Sequence, residues 1–417
     1  MNAVERRVLD SVNLKDITRL AGELVAIPSH GGKESRVQRF MAERLRGLGF
    51  EVDSWALDFG ELRRHPDFSM SIPRDEGLGV VGTMSAGDRS LILCGHIDTV
   101  DPGDPNNWAM DPMKATVKDG RLYGRGVCDM KGGLAAALVA AKAVMDAGVT
   151  LKGRLIYESC IGEEDGGCGA LATCLRGYKA DAGIIMEPSE TKVAPEVAGA
   201  MSFKATIPGR SAHACVRDEG VSAIEKFVTV LNGLMELEAE RNSRVSNPLY
   251  KRYKTPYALN VGMIRGGQWP GTVPESVTFE GRIGVAVRET QQHARDELER
   301  KVREIADGDP WLRDHRPTVE WSGYSFAPSR VPVDHPIVKT LGSAYKDATG
   351  QEPVYEGMTY ASDARLLINV GGTPTVVFGP GDVRTAHGAN ESVSLGELEA
   401  TARTLALTVL RFLGYEG

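Results

Sequence analysis

Histidine and glutamate side chains follow four short apolar runs of the sequence, at residues 91–94, 155–160, 183–186 and 375–378. The residues that follow these runs in turn are His96, the pair Glu163 and Glu164, Glu187, and, after a Gly-Pro-Gly loop, His387. Short apolar runs separated by helices are typical of a sheet that is buried on both faces. Such sheets bind ligands at the carboxyl ends of their strands. The sequence therefore predicts that these side chains meet at one edge of one sheet.

A further carboxylate, Asp129, stands shortly before an Ala-rich stretch at residues 134–145 that is predicted to be a helix. Two histidines and three carboxylates form a mixed nitrogen and oxygen donor set, which suits zinc, cobalt or manganese better than magnesium or calcium. Such a set is too large for one tetrahedral ion that must also hold water, but it fits two ions that share one carboxylate. Asp98 lies two residues after His96, so both side chains share a face of a strand and Asp98 can orient the imidazole.

The alternation of apolar runs and helical patterns predicts an α/β fold with a mixed, mostly parallel sheet flanked by helices. Helical spacing also predicts helices at residues 14–25 and 37–48. The middle of the chain differs, because its strand-like and helix-like stretches follow the order β-α-β-β-α-β of a ferredoxin-like α+β domain. The predicted strands there are residues 202–207, 258–264, 276–287 and 318–321, and the predicted helices are 224–235 and 291–305. We therefore expect residues 1–196 and 326–417 to form one domain, with residues 197–325 inserted as a second.

The composition is that of an ordinary globular protein of two or three domains, with 417 residues of which 42% are hydrophobic. The net charge of -7, without a basic cluster, argues against a nucleic-acid partner. The longest apolar run, residues 134–141, is too short to span a bilayer, and the charged N-terminus is unlike a secretory signal. The six cysteines form no Cys-x-x-Cys pair, which favours a reducing, cytoplasmic location.

Five motifs together resemble a co-catalytic zinc hydrolase family that contains acetylornithine deacetylase, succinyl-diaminopimelate desuccinylase, carboxypeptidase G and aminoacylase. The motifs are GHIDTV at residues 95–100, GRGVCDMKGG at 124–133, GEEDGG at 162–167, MEPS at 186–189 and AHGANE at 386–391. They occur in the family's order and span nearly the whole chain. As a set they are specific for the family and poorly specific for a substrate.

The resemblance implies roles for the residues that match these motifs. One ion would be held by His96 and Glu187, a second by Glu164 and His387, and Asp129 would bridge them. Glu163 would be the general base toward a metal-bridging water and then the general acid, while Asp98 would orient His96. The implied activity is that of a metal-dependent amidohydrolase, a deacylase that cleaves an N-acyl amide bond of a small amino-acid-like substrate. Two divalent ions per chain are expected, zinc foremost, with cobalt or manganese as alternatives.

The same resemblance implies that the inserted domain is a lid through which the chain forms a homodimer. His213 matches the family's lid histidine that stabilises the oxyanion, and Arg282 matches a lid arginine. Arg365 resembles the arginine that grips a substrate carboxylate in the desuccinylase. The lid loop after Gly266-Gly267 lacks the family's asparagine and carries Trp269 instead. Residues 57–81 are longer than a tight connection needs, and the sequence leaves open whether they line a pocket or an interface.

Alternative functions stay open at this stage. One is a di-zinc exopeptidase of the carboxypeptidase or dipeptidase type. Another is a hydrolase that removes a formyl or carbamoyl group from a heterocyclic amine, which the missing asparagine favours. A non-catalytic, metal-dependent binding protein is the alternative from another class, and the presence of every ligand together with Glu163 argues against it.

Overall fold

The computed structural model describes residues 1–416 and divides into two compact units. The first unit comprises Met1–Val197, Ser329–Met358 and the chain from Ser362 onward. The second comprises Ala198–Pro328 and Thr359–Ala361. The polypeptide therefore leaves the first unit after Val197 and returns to it at Ser329.

The helices and strands are numbered in chain order within the described residues. The α-helices are α1 (Ala3–Ser11), α2 (Leu14–Val25), α3 (Ser35–Gly47), α4 (Phe59–Leu62), α5 (Lys131–Asp146), α6 (Cys168–Leu175), α7 (Ala223–Ser243), α8 (Gln291–Gly308), α9 (Pro336–Thr349), α10 (Ala364–Asn369) and α11 (Leu395–Leu413). Short 3-10 helices lie at Pro105–Asn107, Ala214–Glu219, Pro248–Tyr250 and Val383–Thr385. The strands up to the second unit are β1 (Glu51–Ala56), β2 (Leu78–Met84), β3 (Ser90–His96), β4 (Thr116–Lys118), β5 (Arg121–Tyr123), β6 (Thr150–Leu151), β7 (Arg154–Cys160), β8 (Ala182–Ile185) and β9 (Val193–Val197). The remaining strands are β10 (Gly199–Pro208), β11 (Leu259–Gly266), β12 (Ser276–Val285), β13 (Thr318–Glu320), β14 (Ser325–Phe326), β15 (Ser329–Arg330), β16 (Tyr355–Met358), β17 (Thr375–Val377), β18 (Ser392–Ser394) and β19 (Tyr415–Glu416).

The first unit is built on a sheet with the strand order β1-β2-β7-β3-β8-β17-β9-β15, in which β16 also pairs with β9. Its four middle strands, β7, β3, β8 and β17, run parallel. Antiparallel pairs flank them on both sides, between β2 and β7 and between β17 and β9. The predicted α/β sheet flanked by helices is confirmed, and the four apolar runs that suggested it are its four parallel strands.

Helix α5 is buried along almost its whole length, against α2, α11 and β3. Because it contains many alanines and two N-terminal glycines, its side chains are small and its backbone can approach neighbouring backbone closely. A methyl group on Gly133 would lie only 2.4 Å from the carbonyl oxygen of Met186. The first turn of α5 therefore packs directly on the chain that leads into Glu187.

The second unit contains the predicted β-α-β-β-α-β order as β10, α7, β11, β12, α8 and β13. Its sheet is antiparallel, with the order β11-β12-β10-β13, and β14 pairs with β10. Helices α7 and α8 pack on each other, and their buried residues share one hydrophobic core with the sheet. This is a ferredoxin-like two-layer arrangement, as the sequence predicted. None of the helices described in residues 1–416 is long and apolar enough to cross a membrane.

A buried acid, Glu158, lies on β7 and is 1% exposed. Its Oε2 accepts a hydrogen bond of 3.3 Å from the Thr173 hydroxyl, and its Oε1 has no hydrogen-bond partner among the described residues. Burial raises the pKa of Glu158 to about 7. Because the folded state holds this proton more tightly than the unfolded state, Glu158 makes folding less favourable as the pH rises from about 4.5 to about 7.

We predict that Gly133→Ala destabilises the protein by about 1–3 kcal/mol, because the new methyl group meets a backbone oxygen that cannot move freely. Gly47→Ala is the matched control, since Gly47 is also helical and a methyl group there meets nothing within 4 Å. That control is expected to be neutral or to stabilise the protein by up to about 1 kcal/mol. Urea unfolding of both variants tests this, and equal stabilities would contradict the packing argument.

We also predict that Glu158→Gln becomes more stable relative to the wild-type protein as the pH rises from 5 to 8. A pKa raised from 4.5 to about 7 corresponds to about 3 kcal/mol, which sets the upper size of the effect. The measurement is the difference in free energy of unfolding between variant and wild-type protein at both pH values. Glu43→Gln, at an exposed acid of α3, is the control and should change far less with pH, whereas a constant difference for Glu158→Gln would refute the buried-proton interpretation.

Candidate metal centre

The parallel strands bring histidine and carboxylate side chains to one edge of the sheet in the first unit. His96 is the last residue of β3, which lies between β7 and β8. Glu163 and Glu164 follow β7, Glu187 follows β8, and His387 lies in the chain after β17. The edge exists because parallel neighbours end on the same side of the sheet.

Asp129 lies between the two histidines. Its Oδ1 is 2.9 Å from Nε2 of His96, and its Oδ2 is 3.3 Å from Nε2 of His387. The two oxygens of one carboxylate thus face two different imidazoles. The peptide bond between Asp129 and Met130 is cis.

Two glutamates complete two groups of donor atoms around Asp129. Nε2 of His96 is 3.7 Å from Oε1 of Glu187, and Nε2 of His387 is 2.9 Å from Oε2 of Glu164. The first group is His96, Asp129 and Glu187, and the second is Asp129, Glu164 and His387. Within each group the donor atoms all lie within 4.8 Å of one another. The structure therefore brings together all five side chains that were predicted from the sequence to be metal ligands.

The carboxylate of Asp98 binds the backbone of this site, and it is the main-chain carbonyl of Asp98, not the side chain, that lies nearest to the imidazole of His96. Its carboxylate accepts hydrogen bonds from the backbone N–H groups of Glu163, at 3.3 Å, and Glu164, at 3.1 Å. Its carbonyl oxygen lies 3.1 Å from Nδ1 of His96. Because a carbonyl oxygen can only accept, Nδ1 carries the hydrogen and Nε2 faces Asp129.

The carboxylates of this edge repel one another in a poorly hydrated setting. Burial, together with the charge of Glu187, raises the pKa of Glu163 well above its ordinary value. Burial raises the pKa of Glu187 to about 8. Hydrogen bonds to Asp129 and Glu164 raise the pKa of His387 to about 10. Burial would raise the pKa of Asp129, but the two imidazoles outweigh burial and lower it. Without metal ions, protons and imidazolium charges therefore compensate the negative charge.

The donor set fits divalent ions better than it fits an ordinary ion-pair network. Each group offers one imidazole nitrogen and two carboxylates, a mixture that zinc, cobalt and manganese accept. A cation in each group would also relieve the repulsion that raises the pKa values of the buried glutamates. The side chains present therefore match two ions that share Asp129.

The predicted residues of the inserted domain lie in the second unit. His213 is exposed, and its Nδ1 accepts a hydrogen bond of 3.2 Å from the backbone N–H of Cys215. Arg282 lies on β12, opposite Ser202 of β10 and Asn260 of β11. Trp269 is 71% exposed.

Arg365, expected from the resemblance to grip a substrate carboxylate, lies in the interior of the first unit. It is 2% exposed, on helix α10. Its Nη2 donates a hydrogen bond of 2.8 Å to the carbonyl oxygen of Gly166, in the turn that follows Glu163 and Glu164. In this structure the guanidinium therefore binds the turn that carries Glu163, the candidate general base.

Known proteins and a family model resemble this chain over most of its length. A family model described as peptidase family M20/M25/M40 matches residues 92–411. The N-formyl-4-amino-5-aminomethyl-2-methylpyrimidine deformylase of Bacillus subtilis is 32% identical over 379 residues, which cover 87% of this chain and 85% of that protein. The deformylase of the same name from Halalkalibacterium halodurans is 30% identical over 415 residues, or 94% of this chain and 93% of that protein.

Solved structures share the fold. The yeast dipeptidase Dug1p, from Saccharomyces cerevisiae, superimposes with a TM-score of 0.76 at 14% identity, over 98% of both chains. The aminopeptidase PepT of Bacillus cereus gives a TM-score of 0.71 at 21% identity, over 96% of this chain and 98% of that one. At these identities the likeness concerns the fold alone.

The sequence did not reveal a buried ion-pair network beside the turn that carries Glu163 and Glu164. The Arg74 guanidinium, with a side chain that is 1% exposed, contacts Glu34 and Asp165, each at 2.7 Å. The Asp165 carboxylate also accepts a hydrogen bond of 2.7 Å from the backbone N–H of Ile72. Asp165 directly follows Glu164, so the network ties part of residues 57–81 to the turn that carries the donors. The GEEDGG motif contained Asp165, but nothing near it in sequence pointed to a partner 91 residues away.

We predict that Arg74→Met lowers the free energy of unfolding by about 3–5 kcal/mol, because it leaves two buried carboxylates without their cation. Arg44→Met is the control, since Arg44 forms an exposed ion pair of 3.0 Å with Glu23. That pair is expected to contribute about 0–1 kcal/mol. Denaturant unfolding at neutral pH compares the two variants, and similar losses would show that the buried network does not stabilise the turn.

Proposed function

Because the chain belongs to peptidase family M20/M25/M40, we propose that it removes a small acyl group, formyl foremost, from the nitrogen of a small heterocyclic amine. The chain is thus a hydrolase of amide bonds, and the proposal concerns its metal ions and its substrate. Deacylation of an amino-acid-like substrate is the broader form of the same reaction.

The position of Asp129 is the observation that carries the proposal. Each of its oxygens faces a different histidine, and each histidine is paired with its own glutamate. A single ion would need neither the second imidazole nor the second glutamate. The arrangement supports two ions, one on His96 and Glu187 and one on Glu164 and His387, with Asp129 shared. Zinc is proposed first, with cobalt or manganese as alternatives. When bound, such ions supply Lewis acidity toward the amide carbonyl and toward water.

Glu163 is proposed as the proton carrier. It adjoins Glu164 in the chain, is absent from both donor groups, and its carboxyl has a pKa that burial and Glu187 raise. A carboxylate with a raised pKa can accept a proton from water and return it to the leaving nitrogen as the amide bond breaks. Asp98 keeps Glu163 in place by accepting its backbone N–H.

The named relatives and Arg365 support the proposed substrate class. Two relatives at 32% and 30% identity are named as deformylases of an aminomethylpyrimidine. Arg365, which would suit a substrate carboxylate, is 2% exposed and hydrogen-bonded to the Gly166 carbonyl. A buried arginine of this kind favours a substrate without a carboxylate at that position, as in a formylated heterocyclic amine.

Further parts of the proposal concern the second unit and the location of the protein. His213 is proposed to donate to the oxyanion, and Arg282 to bind substrate. Exposed apolar side chains on α7, at Ile224, Val228 and Met235, support a homodimer through this unit. The six cysteines are free thiols, which supports a cytoplasmic location.

We predict that zinc-loaded protein releases amine from N-formyl aminomethylpyrimidine faster than from N-acetyl, N-succinyl or N-carbamoyl compounds or from dipeptides. Glu163→Gln should lower kcat by about 10²–10⁴-fold, because the amide cannot carry the proton. The measurement is amine release across this panel, with metal content determined on the same samples.

Metal content provides the control for Glu163→Gln, since the variant should still bind two ions per chain. Cleavage of succinylated or acetylated amino acids alone would replace the formyl substrate by an amino-acid-like one. Two bound ions without cleavage of any compound would favour the metal-dependent binding protein instead.

A further inference from the structure

We propose that Glu391 is a positioning residue that fixes the backbone of the shared ligand Asp129. Glu391 closes the AHGANE motif, four residues after His387, and has no role in the function proposed above. The proposal rests on the metal centre proposed there.

The Glu391 carboxylate binds four donors of the segment that ends at Asp129. Its Oε1 accepts the backbone N–H groups of Cys128, at 2.8 Å, and Asp129, at 3.1 Å. Its Oε2 accepts the backbone N–H of Gly126, at 2.9 Å, and Nη1 of Arg125, at 2.7 Å. One side chain therefore fixes three peptide N–H groups within four residues, including that of Asp129 itself.

Burial makes this arrangement strong and specific. Glu391 is 1% exposed and Arg125 is 2% exposed, so water cannot replace the lost hydrogen bonds. The Arg125 guanidinium also lies over the Trp108 ring, 5.1 Å from its centroid. A buried carboxylate is tolerated only with a cation and hydrogen-bond donors around it, and this segment supplies both.

A small sheet places Glu391 beside this segment. Strand β18 begins directly after Glu391, and β5 ends directly before Gly124. The two strands pair antiparallel, with Ser392 opposite Tyr123, and the Gly124 N–H donates to the Glu391 carbonyl at 3.1 Å. The same stretch of chain thus supplies His387 to one donor group and holds the ligand that both groups share.

The chemistry requires an acceptor without hydrogens of its own. All four partners of the carboxylate are N–H donors, so a glutamine amide would turn its NH₂ toward donors and lose their hydrogen bonds. Asp129 would then be free to shift while its own side chain stayed unchanged. Partners that orient a metal ligand in this way typically contribute about 10–100-fold to metal affinity or activity.

Titration of metal-free protein with Co²⁺ tests the proposal, followed by calorimetry and by the visible spectrum of the bound ions. Wild-type protein should bind two Co²⁺ per chain, and Glu391→Gln should bind them about 10–100-fold more weakly with an altered spectrum. With an amide substrate, kcat should fall while KM changes little. Glu391→Asp is the second variant for the case that Glu391→Gln does not fold, because it keeps the charge but is too short to reach both oxygen positions.

Glu5→Gln is the matched control. Glu5 is 7% exposed and binds Nε of Arg411 at 2.7 Å and the backbone N–H of Asn2 at 3.0 Å, so it resembles Glu391 away from the donor groups. It should lose stability without a change in Co²⁺ affinity or spectrum. If the wild-type protein binds two ions and the Glu391 variants bind them equally well, the role of Glu391 is refuted while the proposed metal centre stands. If the wild-type protein binds no ion, both this inference and the proposed metal centre fail.

Discussion

Repulsion between buried carboxylates is the physical constraint on which the rest of the site depends. Glu163, Glu164, Glu187 and Asp129 lie at one edge of the sheet, where burial disfavours their charged forms. Left alone, such a cluster would drive the strand ends apart. In the absence of ions two imidazolium groups compensate part of this charge, whereas two divalent ions, bound to the neutral imidazoles, would compensate the four carboxylates in full. The same property that makes the site costly to fold makes it a strong cation site.

The surrounding structure shows how the fold tolerates this charge. Three buried acids outside the two donor groups are held by backbone N–H groups or by a buried arginine. Asp98 accepts the N–H groups of Glu163 and Glu164, Asp165 binds Arg74, and Glu391 binds Arg125 and three N–H groups. These contacts keep the turns that carry the donors rigid. The repulsion among the donor carboxylates therefore does not move these turns apart. Preorganised ligands of this kind bind a metal without rearrangement.

The features that the sequence predicted are local, and those that it missed depend on contacts between distant residues. The four parallel strands and both helices of the ferredoxin-like unit could be predicted from the sequence. Apolar runs and helical spacing are patterns that show within about ten residues. Four of the donors could be predicted because they lie close to a strand end or to the start of a helix, whereas His387 lies ten residues after β17. The partners of Arg74 and Glu391 lie 40 to 266 residues away, and no periodicity encodes such pairs. The burial of Arg365 was missed for the same reason, since its contact with Gly166 joins residues 199 positions apart. The short strands β4, β5 and β18 were not among the predicted elements.

The place of β17 in the sheet bears on how the protein is made. This strand comes last among those of the central sheet, yet it lies between β8 and β9, with ladder contacts on both sides. While the ribosome is still producing the middle of the chain, β8 has only one neighbour and exposes an apolar edge toward other chains. The sheet can be completed only after residues 375–377 have emerged from the ribosome. His387 and Glu391 are synthesised shortly afterwards. Completion of the sheet and arrival of the last donor are therefore nearly one event, so a nascent chain lacks the last predicted metal ligand, His387, until the central sheet has all its strands.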